Sequence, residues 1–189
     1  LPHFLSWIIV CSLISKMLST NDGAVNNVLM KLGLIKEPLL FLGDQKYFWW
    51  ITTFANIWKE TGWNSIIYIA AIAGIDQSLY EAAELDGAGR FRRMISITIP
   101  CIKGTVMIMV IFAVAGILNN NFDQIYVLQN SFNLERSEVI DTYIYKIGIQ
   151  QLQFGMAAAV NITKSFFSLA LLLLANGIVS KLSDGYGLF

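Results

Sequence analysis

Apolar stretches close to the length of a membrane-spanning helix alternate with polar stretches along this chain. A helix needs about 20 mostly apolar residues to cross a bilayer. The pattern predicts spans at approximately residues 1–19, 50–76, 101–122 and 154–180, with a charged loop at residues 76–100. The chain is therefore predicted to form one all-α domain over residues 1–189, a polytopic membrane helix bundle with four spans.

The second predicted span is the least regular of the four. Its apolar residues are interrupted by Lys59 and Glu60, which we place near a membrane interface. Two half-length elements in place of one helix remain an alternative for this segment.

The distribution of basic residues predicts which side of the membrane each polar stretch occupies. Arg90, Arg92, Arg93 and Lys103 lie within 14 residues, next to the third span, whereas the basic residues predicted on the other side are more widely spread. Cytoplasmic loops are enriched in Lys and Arg near the ends of spans. The clustering predicts that the 76–100 loop faces the cytoplasm.

Composition agrees with a multi-pass protein of the cell membrane. Hydrophobic residues make up 56% of the chain and charged residues 14%, whereas about a quarter of the residues in soluble domains are charged. The formal net charge is zero, which gives no general attraction to nucleic acid. The chain is apolar by Phe4 without a basic segment before it, unlike a signal peptide. We expect it to be a fragment that lacks an N-terminal part.

Few residues in the chain are suited to catalysis or metal binding. His3 is the only histidine, and Cys11 and Cys101 are 90 positions apart. These counts predict no catalytic residue and no metal site. Both cysteines are expected to be small, buried apolar residues.

The 76–100 loop has the pattern of a helix followed by a turn. Asp76 or Ser78 is expected to cap the helix, and Ser78 with Glu81 has the spacing of a capping box. Gly87 and Gly89 can end the helix and turn the chain.

A second short helix is expected at about residues 90–98, and Pro100 suits the first turn of the next span. The result is a helix-turn-helix on the cytoplasmic face of the membrane. An ordinary amphipathic surface loop is the alternative.

The same loop resembles the EAA signature of binding-protein-dependent ABC importer permeases. The matching residues, at the spacing of the family, are Glu81, Ala82, Ala83, Gly87, Ile97, Ile99 and Pro100. Ile99 stands where the family usually has Leu, a residue of similar volume. The segments LPHFLSW, IDQSLYEAAELDGA, VIDTYIYKIG and GYGLF extend the resemblance over the whole chain, to the polysaccharide-type sugar permeases of Gram-positive bacteria.

The resemblance implies a type I ABC importer permease that moves a sugar, oligosaccharide or polysaccharide across the membrane. The implied partners are a second homologous permease, two cytoplasmic ATPase subunits, an extracytoplasmic sugar-binding lipoprotein and membrane lipid. Such permeases have six spans, of which two would precede this chain. No GxxxxGK[ST] motif is present, so ATP is expected to bind to the partner ATPases and the chain to need no cofactor. The residues expected to couple to the ATPases are Glu81, Ala82, Ala83, Asp86, Gly87, Ile97 and Pro100.

Polar and aromatic residues within the spans are candidates for contact with the sugar. Trp58 and Trp63 could stack on sugar rings or form a belt at the membrane interface. Lys164 and Asn161 share a face of the last span, where Lys164 either lines the pathway or pairs with an acid. The asparagines at 119–121 predict a polar exit from the third span.

Two other classes of function are alternatives to transport, a membrane-embedded transferase and a non-transporting scaffold. A membrane-embedded transferase would require histidines or clustered acids near one face. A non-transporting membrane scaffold that regulates an ATPase would have the same sequence pattern as a transporter.

Overall fold

The computed structural model describes residues 2–119 and 121–182, and within these residues it contains helices and no β-strand. The closing GYGLF segment lies outside the described residues. The α-helices are α1 Trp7–Met17, α2 Ala24–Lys31, α3 Gln45–Ala73, α4 Gln77–Leu85, α5 Arg90–Arg93, α6 Ile99–Cys101, α7 Lys103–Ala115, α8 Phe122–Leu128, α9 Leu134–Ser137, α10 Ile140–Tyr145 and α11 Phe154–Leu182. A 3₁₀ helix covers Pro2–Phe4, and π-helical segments cover Met94–Thr98 and Lys146–Gln150.

The first two predicted spans differ from the helices at their boundaries. Helix α1 begins only at Trp7, because the Ser6 hydroxyl caps it by accepting from the N–H of Ile8 at 3.3 Å. Helix α3 is a single helix of 29 residues, which excludes two half-length elements. It begins at Gln45 rather than at residue 50.

The third predicted span, residues 101–122, is wrong as one continuous helix. Helix α7 has 13 residues and ends at Ala115, and the N–H of its C-cap residue Gly116 donates to the carbonyl of Phe112 at 2.9 Å. Helix α8 then begins at Phe122, where the span was expected to end. Pro100 was expected in the first turn of the span, but it lies in α6, before a 61° bend between Arg90–Cys101 and Lys103–Ala115.

Helix length and hydropathy identify a smaller number of membrane spans than the sequence pattern. Among the described residues, only Phe154–Lys181 is long and apolar enough by itself, and the bent pair that ends at Ala115 would be a second span. Helix α1 is apolar but short. The arrangement in four spans therefore stays a prediction.

Contacts divide the chain into two compact units. The first contains residues up to Thr61 and Leu118–Lys164, with a core of Cys11, Phe48, Ile125 and Leu128. The second contains Gly62–Ile117 and the residues from Ser165 onward, with a core of Ile111, Ala175 and Val179 at which α7 packs on α11.

Cys101 is placed differently from the prediction, and Lys59 has contacts that the sequence did not predict. Lys59 is buried within the protein: its Nζ donates to the carbonyl of His3 at 2.5 Å and lies 5.1 Å from the ring centre of Trp7. Its place near a membrane interface stays a prediction. Glu60 follows Lys59 and contacts His3 Nδ1 at 2.7 Å. Cys11 is buried as expected, whereas Cys101, the last residue of α6, is exposed.

Candidate functional site

Helix α4 forms the first half of the predicted coupling loop. Asp76 is its N-cap, and the carboxylate accepts from the backbone N–H of Ser78 at 2.9 Å. That backbone bond and a side-chain bond to Ser78 lower the pKa of Asp76. The cap is therefore Asp76, and the capping box predicted for Ser78 and Glu81 is not formed.

The turn after α4 depends on Gly87. The φ angle of Gly87 is +77°, in the left-handed region that a glycine adopts without strain. Its N–H donates to the carbonyl of Glu84 at 3.0 Å, and the N–H of Ala88 donates to the carbonyl of Ala83 at 2.9 Å. These two bonds make a Schellman motif, which ends the helix and reverses the chain.

The second half of the loop is helical from Arg90 to Cys101, with a π-helical segment at Met94–Thr98. Two side-chain contacts tie it to α4. The hydroxyls of Tyr80 and Thr98 are 2.8 Å apart, and Arg93 Nη1 donates to Glu84 Oε2 at 2.7 Å. The predicted helix-turn-helix is therefore present, and side-chain bonds hold its two halves together.

The residues predicted to contact an ATPase lie mostly at the surface of this helical hairpin, residues 76–101. Ala83 and Ile97 are half-buried, and the others are exposed, namely Glu81, Ala82, Asp86, Gly87 and Pro100. Leu85, which the sequence did not single out, is 90% exposed on the same helix. An apolar side chain flanked by acids at a helix end suits a partner protein better than water.

The first unit has two small polar cavities. One, of about 210 Å³, lies next to α10. The second, of about 200 Å³, lies between α3 and the start of α8. The second cavity is lined by Trp49, Thr52, Thr53, Asn56, Asn119, Asn121, Gln124 and Ile125. One indole and several amides that point into one cavity can stack on a sugar ring and hydrogen-bond its hydroxyls.

The geometry of this second cavity is fixed by bonds between distant parts of the chain. Gln124 is buried, and its Nε2 donates to the carbonyl of Thr52 at 2.7 Å. Trp49 Nε1 donates to the carbonyl of Arg136 at 3.0 Å. Among the described residues, no hydrogen bond occupies the side-chain amide of Asn56, which remains available to a ligand.

Sequence reasoning missed this cavity, although part of the signal was present. Trp49, Thr52, Thr53 and Asn56 follow the spacing of one helix face. The asparagines at 119 and 121 were expected only as a polar exit, and Asn120 lies outside the described residues.

The two tryptophans predicted to line the pathway are both exposed, but they do not line the polar cavity. Trp58 lines an apolar groove of about 580 Å³ together with Trp50 and Phe54. Trp63 belongs to the second unit. Their assignment to the sugar pathway stays a prediction.

Lys164 has the acidic partner that the sequence left open. Its Nζ lies 2.5 Å from Asp141 Oδ1, and the two side chains are 10% and 20% exposed. Asp141 lies on the short helix α10, in a polar stretch outside the predicted spans. Asn161, one turn earlier, is exposed, and its role in the pathway remains untested. No group of three or more potential metal ligands occurs in the part of the chain that the structure describes.

Comparisons with known proteins place these features in one family. The family model described as "Binding-protein-dependent transport system inner membrane component" matches residues 1–184. Protein LplB of Bacillus subtilis is 41% identical over 188 residues, which are 100% of this chain and 58% of LplB. The polygalacturonan/rhamnogalacturonan transport system permease protein YteP of Bacillus subtilis is 39% identical over 184 residues, which are 97% of this chain and 57% of YteP.

The fold is also present in a solved structure. A chain of a bacterial alginate ABC transporter, in complex with an alginate pentasaccharide-bound periplasmic protein, superposes with a TM-score of 0.92 at 37% identity. The match covers 100% of this chain and 64% of that one. This chain therefore spans less than two thirds of each of these three proteins.

Proposed function

Because this chain belongs to the family of binding-protein-dependent transport system inner membrane components, we propose that it is the permease subunit of an ATP-driven sugar importer. Its fold is that of an ABC transporter permease, an all-α membrane helix bundle, as the sequence predicted. In this proposal the chain is a multi-pass protein of the cell membrane, and it carries out transport without being an ATPase itself.

The observation that carries the proposal is the hairpin of residues 76–101. A left-handed glycine turns the chain, two side-chain bonds hold the halves together, and acids are exposed on α4. A rigid element of this kind can transmit a displacement from a partner, because a flexible loop would absorb it. We assign Glu81 and Asp86 to the contact with the ATPase and Gly87 to the turn.

The proposed partners are those of a complete importer. Two ATPase subunits would bind ATP below the membrane, a second related permease would complete the pathway, and an extracytoplasmic protein would deliver the sugar. The alginate transporter structure contains a periplasmic protein that holds a pentasaccharide. Closure of the ATPases would shift the two permeases between inward- and outward-open packings.

We further propose that the sugar passes the cavity of Trp49 and Asn56. The lining is uncharged among the described residues, with one exposed indole and several amides. YteP is named for polygalacturonan and rhamnogalacturonan, and the alginate transporter for an acidic polysaccharide. An oligosaccharide containing uronic acids is therefore the first cargo to test.

The test is sugar uptake in cells that lack the gene. The full-length gene should restore uptake of a labelled oligosaccharide. Glu81→Lys should not restore it, because the exposed acid contacts the ATPase in this proposal, although the protein should reach the membrane in normal amount. Glu37→Lys, an equal charge reversal at another exposed acid, should restore uptake. Normal uptake by Glu81→Lys would contradict the assignment of the loop.

A further inference from the structure

The charges of the hairpin are divided by sign, and the division falls at its turn. Residues 76–89 contain four acids and no base, namely Asp76, Glu81, Glu84 and Asp86. Residues 90–101 contain three bases and no acid, namely Arg90, Arg92 and Arg93, and Lys103 follows at the start of α7. The cytoplasmic surface of a membrane is negative and attracts basic segments. The two halves of the hairpin therefore suit different surroundings.

The basic half also exposes an apolar face. Phe91 is 76% exposed and Ile95 61% exposed, and Met94 and Ile99 are exposed as well. Spacings of three and four residues place these side chains along one side of a helix. Arg90 and Arg92 lie beside Phe91 in the sequence. A helix with an apolar face and adjacent arginines has the pattern of one that lies in the membrane interface.

The bend before α7 supports the same orientation. Helix α7 has 13 residues and is apolar after Lys103. The axis of Arg90–Cys101 departs from that of α7 by 61°. If α7 enters the membrane, this bend turns the preceding helix toward the membrane plane, where its apolar side chains can reach the acyl chains.

A cavity between the two halves of the hairpin has the chemistry of a lipid headgroup site. It measures about 530 Å³ and is lined by Tyr80, Arg90, Phe91, Arg93, Met94 and Thr98. Arg90 offers its guanidinium to a phosphate. Arg93 uses Nη1 for Glu84 and keeps other N–H donors. Phe91 and Met94 add an apolar wall.

We propose that the helix Arg90–Cys101 binds an anionic phospholipid of the cytoplasmic leaflet, with the phosphate at Arg90 and Arg93 and an acyl chain along Phe91 and Met94. This rests on the proposed function, because it takes the hairpin to face the cytoplasm. The acidic helix α4 is then the part of the hairpin that contacts the ATPase. One hairpin would thus bind the membrane with one half and the ATPase with the other.

The occupant of the apolar face can be identified by photo-crosslinking in the complete transporter. A benzophenone side chain at position 91 should form an adduct with phospholipid, detected by mass spectrometry. The same group at position 85 should crosslink to the ATPase. A crosslink from position 91 to the ATPase, or no lipid adduct there, overturns the lipid proposal. A lipid adduct at position 91 without an ATPase crosslink from position 85 contradicts only the proposed ATPase contact, and the lipid proposal stands.

The charge dependence provides a second test. Binding of phosphatidylglycerol and of phosphatidylcholine to the complete transporter is measured by native mass spectrometry. Arg90→Gln should weaken phosphatidylglycerol binding about fivefold, the effect expected for one arginine near an anionic surface, and leave phosphatidylcholine unchanged. Arg136→Gln, at an exposed arginine of helix α9, serves as the control. Equal phosphatidylglycerol binding by the two variants overturns the proposal.

Discussion

Gly87 allows backbone conformation to be tested separately from side-chain packing. A Cβ added at Gly87 or at Gly89 would have no neighbouring atom within 4 Å. The two glycines differ in φ, which is +77° at Gly87 and −66° at Gly89. Threonine is therefore a matched substitution at both positions. At Gly89 it replaces an N-cap residue of similar preference.

The cost at Gly87 follows from its dihedral angle. A β-branched residue in the left-handed region costs about 2 kcal/mol, which reduces the equilibrium constant for the native turn about 30-fold. Gly87→Thr should therefore form the two Schellman bonds less often and weaken the coupling through the hairpin. Gly87→Asn should be milder, since asparagine tolerates this conformation.

The assay compares uptake, membrane abundance and sugar-stimulated ATP hydrolysis for the three variants in the complete transporter. Gly87→Thr should reduce uptake and stimulation at normal abundance, by no more than the roughly 30-fold change in the equilibrium constant of the turn. Gly89→Thr should retain both activities. Equal uptake by Gly87→Thr and Gly89→Thr at equal abundance would refute the reasoning, because only φ distinguishes the two sites.

Other features of the structure predict further outcomes. Lys164→Met should lower membrane abundance, because it leaves Asp141 half-buried without its cation at a cost of about 3 kcal/mol. The double variant with Asp141→Asn should recover the abundance. Normal abundance of the single variant would show that the pair is dispensable. Asn56→Ala should reduce uptake at normal abundance, whereas Asn27→Ala, at an exposed position on α2, should not. A cysteine at Ser78, with both native cysteines removed, should react only with a reagent that crosses the membrane, and labelling from outside intact cells would reverse the proposed topology.

The hairpin was predictable because its determinants are local. Asp76 caps the helix it precedes, and Gly87 ends it within a few residues. Both features follow from residue preferences that act over one helical turn. The capping box failed for the same local reason, because Asp76 already accepts the N–H of Ser78.

The remaining features depend on contacts between residues far apart in the sequence. Gln124 and Thr52, which hold the polar cavity, are 72 positions apart. Lys59 is buried because the carbonyl of His3, 56 positions away, accepts from it. A hydropathy pattern contains no information about such pairs. It also joined α7 to the following turn, since the residues between Gly116 and Phe122 carry no charge.

Five of the long-range hydrogen bonds of the first unit share an asymmetry that has a consequence for divergence within the family. Each donor is a side chain and each acceptor is a backbone carbonyl, so the donor depends on residue identity and the acceptor does not. The pairs are Asn130 and Asn133 with Leu42, Trp49 with Arg136, Gln124 with Thr52, and Lys59 with His3. Relatives should therefore keep the donor residues and vary freely at Leu42 and Arg136. At these two positions the backbone carbonyl accepts the hydrogen bond whatever the side chain is.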